Sequence, residues 1–195
     1  MSVSLYDAAL IDKIKQWTNK VDLQIYGPND IASVFQYNAD VSNDEPIKLP
    51  LICIRRSGAY TIRNTNKQPL SYDGATFEAT TEKSIQLNAI PISIDYQIDV
   101  YTRYFVEADE FIRNFIFNII NFPKVTVEVP YNNMKILHDS TLTIAEEVAD
   151  NSDIPERLVN GQFTRLSLKA TIADAYLWDV RLRDNYTIDV LFEET

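Results

Sequence analysis

The stretch IPISIDYQIDVYT, Ile90–Thr102, decides the fold class. Ile92, Ile94, Tyr96, Ile98 and Val100 alternate with Ser93, Asp95, Gln97, Asp99 and Tyr101. Strict alternation at period two predicts a long antiparallel strand with one face on a core and the other in water. The strand needs a cover for its apolar face, and the next residues supply one. Glu107, Asp109 and Glu110 suit a helix amino terminus. Ala108, Phe111, Ile112, Phe115, Ile116, Ile119 and Ile120 then recur at helical spacing, until Asn121-Phe122-Pro123 stops the helix.

Working back, Tyr6, Leu10, Ile14 and Trp17 form one apolar stripe of an amino-terminal helix. Ser4 followed by Asp7 reads as its capping-type start. Asn19 and Lys20 close that helix. Val21–Tyr26 reads as a strand, Gly27–Asp30 as a turn, Ile31–Tyr37 as a strand or short helix, and Asn38–Lys48 as a polar loop. Leu49–Ser57 is a strong strand ending in Arg55-Arg56. Residues 58–84 are polar and turn-rich, with modest strands at Ala59–Arg63 and Ala75–Ala79, and predict a projecting hairpin.

Working forward, Val125–Val129, Met134–Leu137 and Thr141–Ile144 read as short strands, and Glu146–Glu156 as an acidic loop. Gln162–Ala173 alternates again. Leu166, Leu168, Ala170 and Ile172 lie on one side, and Phe163, Arg165, Ser167, Lys169 and Thr171 on the other. The expected fold is α+β: a mostly antiparallel, mixed central sheet with two amphipathic helices on one face. No repeat or composition break divides residues 1–195, so one domain is expected, with 174–195 as a carboxy-terminal interaction segment.

The chain carries a net charge of −10, which disfavours tight binding to nucleic acid and suits a surface past which DNA slides. The single cysteine, Cys53, sits in an apolar run and reads as a buried thiol in a reducing compartment. The sequence shows no secretion signal, and its apolar runs are too short to span a bilayer. The 11 Tyr, 9 Phe and 2 Trp serve either subunit contacts or the core.

Catalytic chemistry finds little material. With 4 glycines there is no phosphate-cradling loop and no nucleophile elbow. The only histidine, His138, is expected in an exposed turn, pointing away from its neighbour Asp139. One His and one Cys cannot make a zinc site, and Asp150, Asp153 and Glu156 lack the order of a calcium loop. Asp95 and Asp99 share a strand face but stand roughly 13 Å apart, too far for a carboxylate pair. No enzyme, cofactor or metal is expected. Arg55, Arg56, Arg63 and Lys67, and then Arg181 and Arg183, are positive spots for DNA or for acidic groups across an interface.

The order of elements carries a resemblance. The run Leu49-Pro50-Leu51-Ile52-Cys53-Ile54-Arg55-Arg56, the strand Ile92–Thr102 and the helix opening Glu107-Ala108-Asp109 together resemble the tail-terminator, or tail-completion, proteins of tailed bacteriophages and related contractile machines. In that family a strand of Y-x-I-D-V-Y-T type feeds a helix of E-A-D type. The likeness spans Ser4–Val129. It implies a hexameric ring that caps the tail tube and joins it to the head connector, with residues 58–84 reaching a neighbouring subunit. DNA would pass through the lumen without specific binding. The protein would be assembled in the host cytoplasm and located in the virion neck. The expected interface residues are Arg55, Arg56, Arg63, Tyr72, Phe77, Tyr176, Trp178, Arg181 and Arg183. A different virion ring (adaptor, sheath-associated or baseplate) and a cellular protein-binding module are the alternatives.

Overall fold

The computed structural model describes residues 2–18, 23–30, 49–63, 70–78, 81–131, 134–152 and 163–178. Arg181, Arg183, Lys67, Asp153, Glu156 and the expected elements at Ile31–Tyr37 and Asn38–Lys48 lie outside these residues. Among the described residues ten elements follow in chain order: α1 (Ser2–Thr18), β1 (Gln24–Tyr26), β2 (Leu51–Arg56), β3 (Thr61–Ile62), β4 (Leu70–Glu78), β5 (Thr81–Thr102), α2 (Phe105–Asn121), β6 (Lys124–Tyr131), β7 (Met134–Asp150) and β8 (Thr164–Trp178).

The strands make one sheet in the order β1-β2-β5-β8-β7-β6, with β3 and β4 also paired to β5. The β1–β2 pair is parallel and the other pairs are antiparallel, which makes the sheet mixed. The 22-residue β5 is the axis of the fold. The register of β2, β5 and β8 brings Ile52, Val100 and Leu166 side by side, and likewise Ile54, Ile98 and Leu168. These rows form the core face, and both helices pack on it.

Helix α1 contributes Tyr6, Leu10 and Ile14, all fully buried, while α2 contributes Ala108, Phe111, Ile112, Phe115 and Ile119. At roughly 1.5–3 kcal/mol per large apolar side chain, this packing rather than helix propensity holds α2 in place. Asn114 ties the helices together by donating to the Trp17 carbonyl at 3.0 Å. The predicted turn is present at Gly27, where the Asp30 amide donates to the Gly27 carbonyl. A Cβ there would lie 2.5 Å from Ile11 Cδ1, so the close approach of this turn to α1 favours glycine.

Several sequence expectations are corrected. The expected hairpin between Ala59–Arg63 and Ala75–Ala79 does not form: β3 pairs with β5 at Thr61↔Ser93 and Ile62↔Ile92. The hairpin present is β4–β5, because the strand Ile90–Thr102 reaches back to Thr81 and pairs with β4 from Leu70↔Ala89 to Glu78↔Thr81. Strand β7 does not break at His138, because β6 pairs with its first half and β8 with its second. Glu146 and Glu147 therefore sit in that strand, at a register shift between Ile144 and Val148. β8 continues past Ala173 to Trp178, so the start of the supposed carboxy-terminal segment is sheet. Helix α1 begins at Ser2, and Asp7 is a buried side chain rather than part of a cap.

That buried carboxylate has a measurable consequence. Asp7 Oδ1 accepts from the Tyr96 hydroxyl at 3.0 Å and lies 3.6 Å from Arg56 Nε. Burial raises its pKa more than the Tyr96 hydrogen bond and Arg56 lower it. A raised folded-state pKa means that Asp7 contributes stability below its unfolded pKa, near 3.8. That contribution is lost as pH rises through the folded value. The neutral variant Asp7→Asn keeps an acceptor for Tyr96 and avoids the buried charge. It is expected to melt a few degrees higher than wild type at pH 7, with the gap closing toward pH 3, as calorimetry at the two pH values would show.

Candidate functional site

The second face of the sheet was expected to be wet, and around Asp99 it is not. Alternation of burial along β5 ends at Ile98, after which Asp99, Val100, Tyr101 and Thr102 are all buried. Asp99 is fully inaccessible. Its Oδ1 accepts from Ser167 Oγ at 2.6 Å and from Gln97 Nε2 at 2.8 Å. Its Oδ2 accepts from Arg165 Nη2 at 3.2 Å and lies 3.2 Å from Arg55 Nε. The sheet register builds this cluster, since Asp99 stands between Cys53 on β2 and Ser167 on β8. Arg55 also donates to the Tyr101 hydroxyl at 2.8 Å, and the Arg165 guanidinium lies 5.4 Å from the Tyr101 ring centre. Leu51, Cys53 and Tyr101 form a small second core there, with the Cys53 thiol buried in it.

Three hydrogen bonds, from Ser167, Gln97 and Arg165, and the ion pair with Arg55 commit this carboxylate to side chains of its own chain. The exposed Asp95 instead accepts from Thr171 Oγ1 at 2.7 Å, on a different row of the sheet. The two carboxylates have no partner in common among these contacts.

His138 is buried, contrary to the exposed turn expected of it, because β7 runs through it and β8 extends beside it. Its Nε2 donates to the Asp174 carbonyl at 3.1 Å, which fixes the proton on that nitrogen. The ring meets Tyr176 and Trp178 edge-on, with centres 5.1 and 5.3 Å away. The Tyr6 hydroxyl accepts from the Tyr176 amide at 2.8 Å, and burial pushes its pKa up to about 12. The Asp174 carboxylate accepts from the Thr141 amide, at 2.8 and 3.0 Å to its two oxygens. Asp139 points away from His138 and pairs with Lys124 at 2.6 Å. That hydrogen bond, with one from Thr126, holds its carboxyl below the usual range.

The expected interface residues therefore divide. Arg55 and Arg56 meet acidic groups of their own chain, Asp99 and Asp7. Trp178 is 6% exposed and Tyr176 is half-buried beside it, both within the His138 cluster. Arg63 is exposed and donates to the Ala173 carbonyl. Tyr72 and Phe77 lie on β4, and their side chains are outside the described set.

What sequence reading missed is the outward face of α2. Val106, Phe117 and Ile120 are 79%, 62% and 64% exposed, with Tyr104, Phe105 and Phe122 exposed at the helix ends. Ile120 was assigned to the core stripe, but it follows the buried Ile119 and so turns away from the sheet. The signal was a helix with apolar residues on more than one face. No family model and no curated protein matches this chain. Function must therefore be argued from these surfaces. Among the described residues no group of three His, Cys, Asp or Glu is placed to hold a metal ion, and no helix is long and apolar enough to cross a membrane.

Proposed function

We propose that this chain is a non-catalytic structural subunit of a virion, a tail-terminator or neck protein that forms a ring between tail tube and head connector. The observation that carries the reading is the β4–β5 hairpin. The last described pair of β5 with β8 is Ala89↔Trp178, and pairing of β5 with β4 runs on from there to Glu78↔Thr81. Part of β4 also runs close to β7 of its own chain. A two-stranded ribbon is marginal in water, and an arm of this kind gains further stability by lying on another subunit. The order of helix, apolar strand, hairpin, long strand and helix agrees with the resemblance. The net charge of −10 suits a lumen that conducts DNA without holding it. The burial of Asp99 among side chains of its own chain and the carbonyl-bound His138 Nε2 support a structural rather than a chemical role.

Imaging of particles assembled with an epitope-tagged copy tests this. The label is expected as a ring at the head-proximal end of the tail tube. Removing residues 71–88 is expected to leave tails and heads unjoined. Label elsewhere in the particle, or particles without any label, would refute the assignment.

A further inference from the structure

On the outward face of α2, Val106, Glu110, Arg113, Phe117 and Ile120 follow one another at spacings of four, three, four and three residues, which places them on a single stripe. All five are exposed. The stripe is apolar at both ends, acidic then basic in the middle, and spans about 16 Å from Val106 to Phe117. Neither Glu110 nor Arg113 has an ion-pair partner among the described residues. A hollow of about 400 Å³ between Thr18 and α2 borders Glu110, Arg113 and Phe117, so α1 leaves them open.

We infer that the stripe binds a second copy of itself, as an antiparallel α2–α2 pair about a two-fold axis. An axis crossing the helix midway between Glu110 and Arg113 sets Glu110 opposite Arg113 of the second copy and Val106 opposite Phe117 of the second copy. Symmetry makes each contact twice. Charge complementarity argues for a second copy: the order Glu110 then Arg113 matches itself when reversed, whereas a parallel pairing in register would set Glu110 against Glu110 and Arg113 against Arg113. The contact is isologous. It is separate from the head-to-tail contact of a closed ring, does not rest on the ring reading, and joins either two free subunits or two rings back to back.

Sedimentation of the full chain tests the pairing through two charge reversals. Glu110→Arg alone faces Arg113 with a like charge, and Arg113→Glu alone faces Glu110 with a like charge. Each variant is expected to self-associate at least about tenfold more weakly than wild type. Mixed one to one, the two variants are complementary at both positions. They should form a heterodimer, identified by native mass, within about twofold of wild-type affinity. Phe117→Ser, which leaves the charges alone, is expected to weaken the pair likewise. A monomeric wild type, variants that associate as tightly as wild type, or a mixture no tighter than its components would each overturn the inference. Because particle imaging reads placement and this experiment reads pairing, the two proposals fail separately.

Discussion

Replacing Asp99 with alanine is expected to destabilise the protein by about 3–5 kcal/mol, the range for breaking a buried ion pair by removing one partner. The size of the loss follows from what remains. The Arg165 side chain is 6% exposed and the Arg55 side chain 29%. Arg55 can turn its guanidinium toward water, but Arg165 is enclosed and would lose the buried Asp99 carboxylate that faces it. Ser167 and Gln97 would also lose their acceptor, and each stranded polar group adds a desolvation cost. Urea unfolding of the full chain measures the effect. Asp99→Asn keeps the shape but sets an amide donor against Arg165 or Ser167, so it too should be destabilised. Removing both charges with Asp99→Leu and Arg165→Met should recover part of the loss, because no buried charge is then left alone. A loss under about 1 kcal/mol for Asp99→Ala would mean that the second face is hydrated, as periodicity alone suggests.

That network also marks where sequence reading stops. The apolar rows of β5 and β8 were legible because a core face writes itself as alternation, and Ile92–Val100 and Leu166–Ile172 are buried as their spacing predicts. The opposite rows carry the same period whether they face water or a polar interior. Asp99 was therefore placed in water along with Asp95, and only Asp95 is there. Its partner Arg165 stands 66 residues away in the chain, and only strand order and register bring the two together. A usable signal did exist. Arg55, Asp99 and Arg165 each lie on the side of a strong strand opposite the main core rows, with charges of alternating sign across the three strands.

Strand ends failed for a different reason. Thr81–Ser84 is polar, and the alternation of Ile85, Leu87 and Ala89 after it is short, while the ladder with β4 carries the strand from Ala89 back to Thr81. The polar run at His138–Thr141 looked like a break, yet β6 holds it in the ladder through Val127↔His138 and Lys124↔Thr141. The candidate interface was illegible for a simpler cause. Ile119 and Ile120 are adjacent and equally apolar, and only helix phase tells which one faces the sheet.

The second large effect tests where the carboxy-terminal aromatic residues belong. Trp178→Ala is expected to cost about 3–5 kcal/mol, as for other buried large-to-alanine changes. Trp178 closes β8 opposite Ala89, and its ring packs 5.3 Å from the His138 ring and 5.4 Å from that of Tyr176, measured between centres. Its loss would open a cavity beside Tyr6 and His138 at the root of the hairpin arm. A tryptophan serving only a subunit contact would behave otherwise, leaving the melting point of the free chain unchanged and weakening assembly. Phe117→Ser supplies that contrast within the same molecule: at an exposed site its stability change should stay within about 0.5 kcal/mol while pairing weakens. Thermal unfolding of both variants, read beside their sedimentation, separates a core residue from a contact residue. Equal stability losses in the two would remove the distinction between the His138 cluster and the α2 stripe.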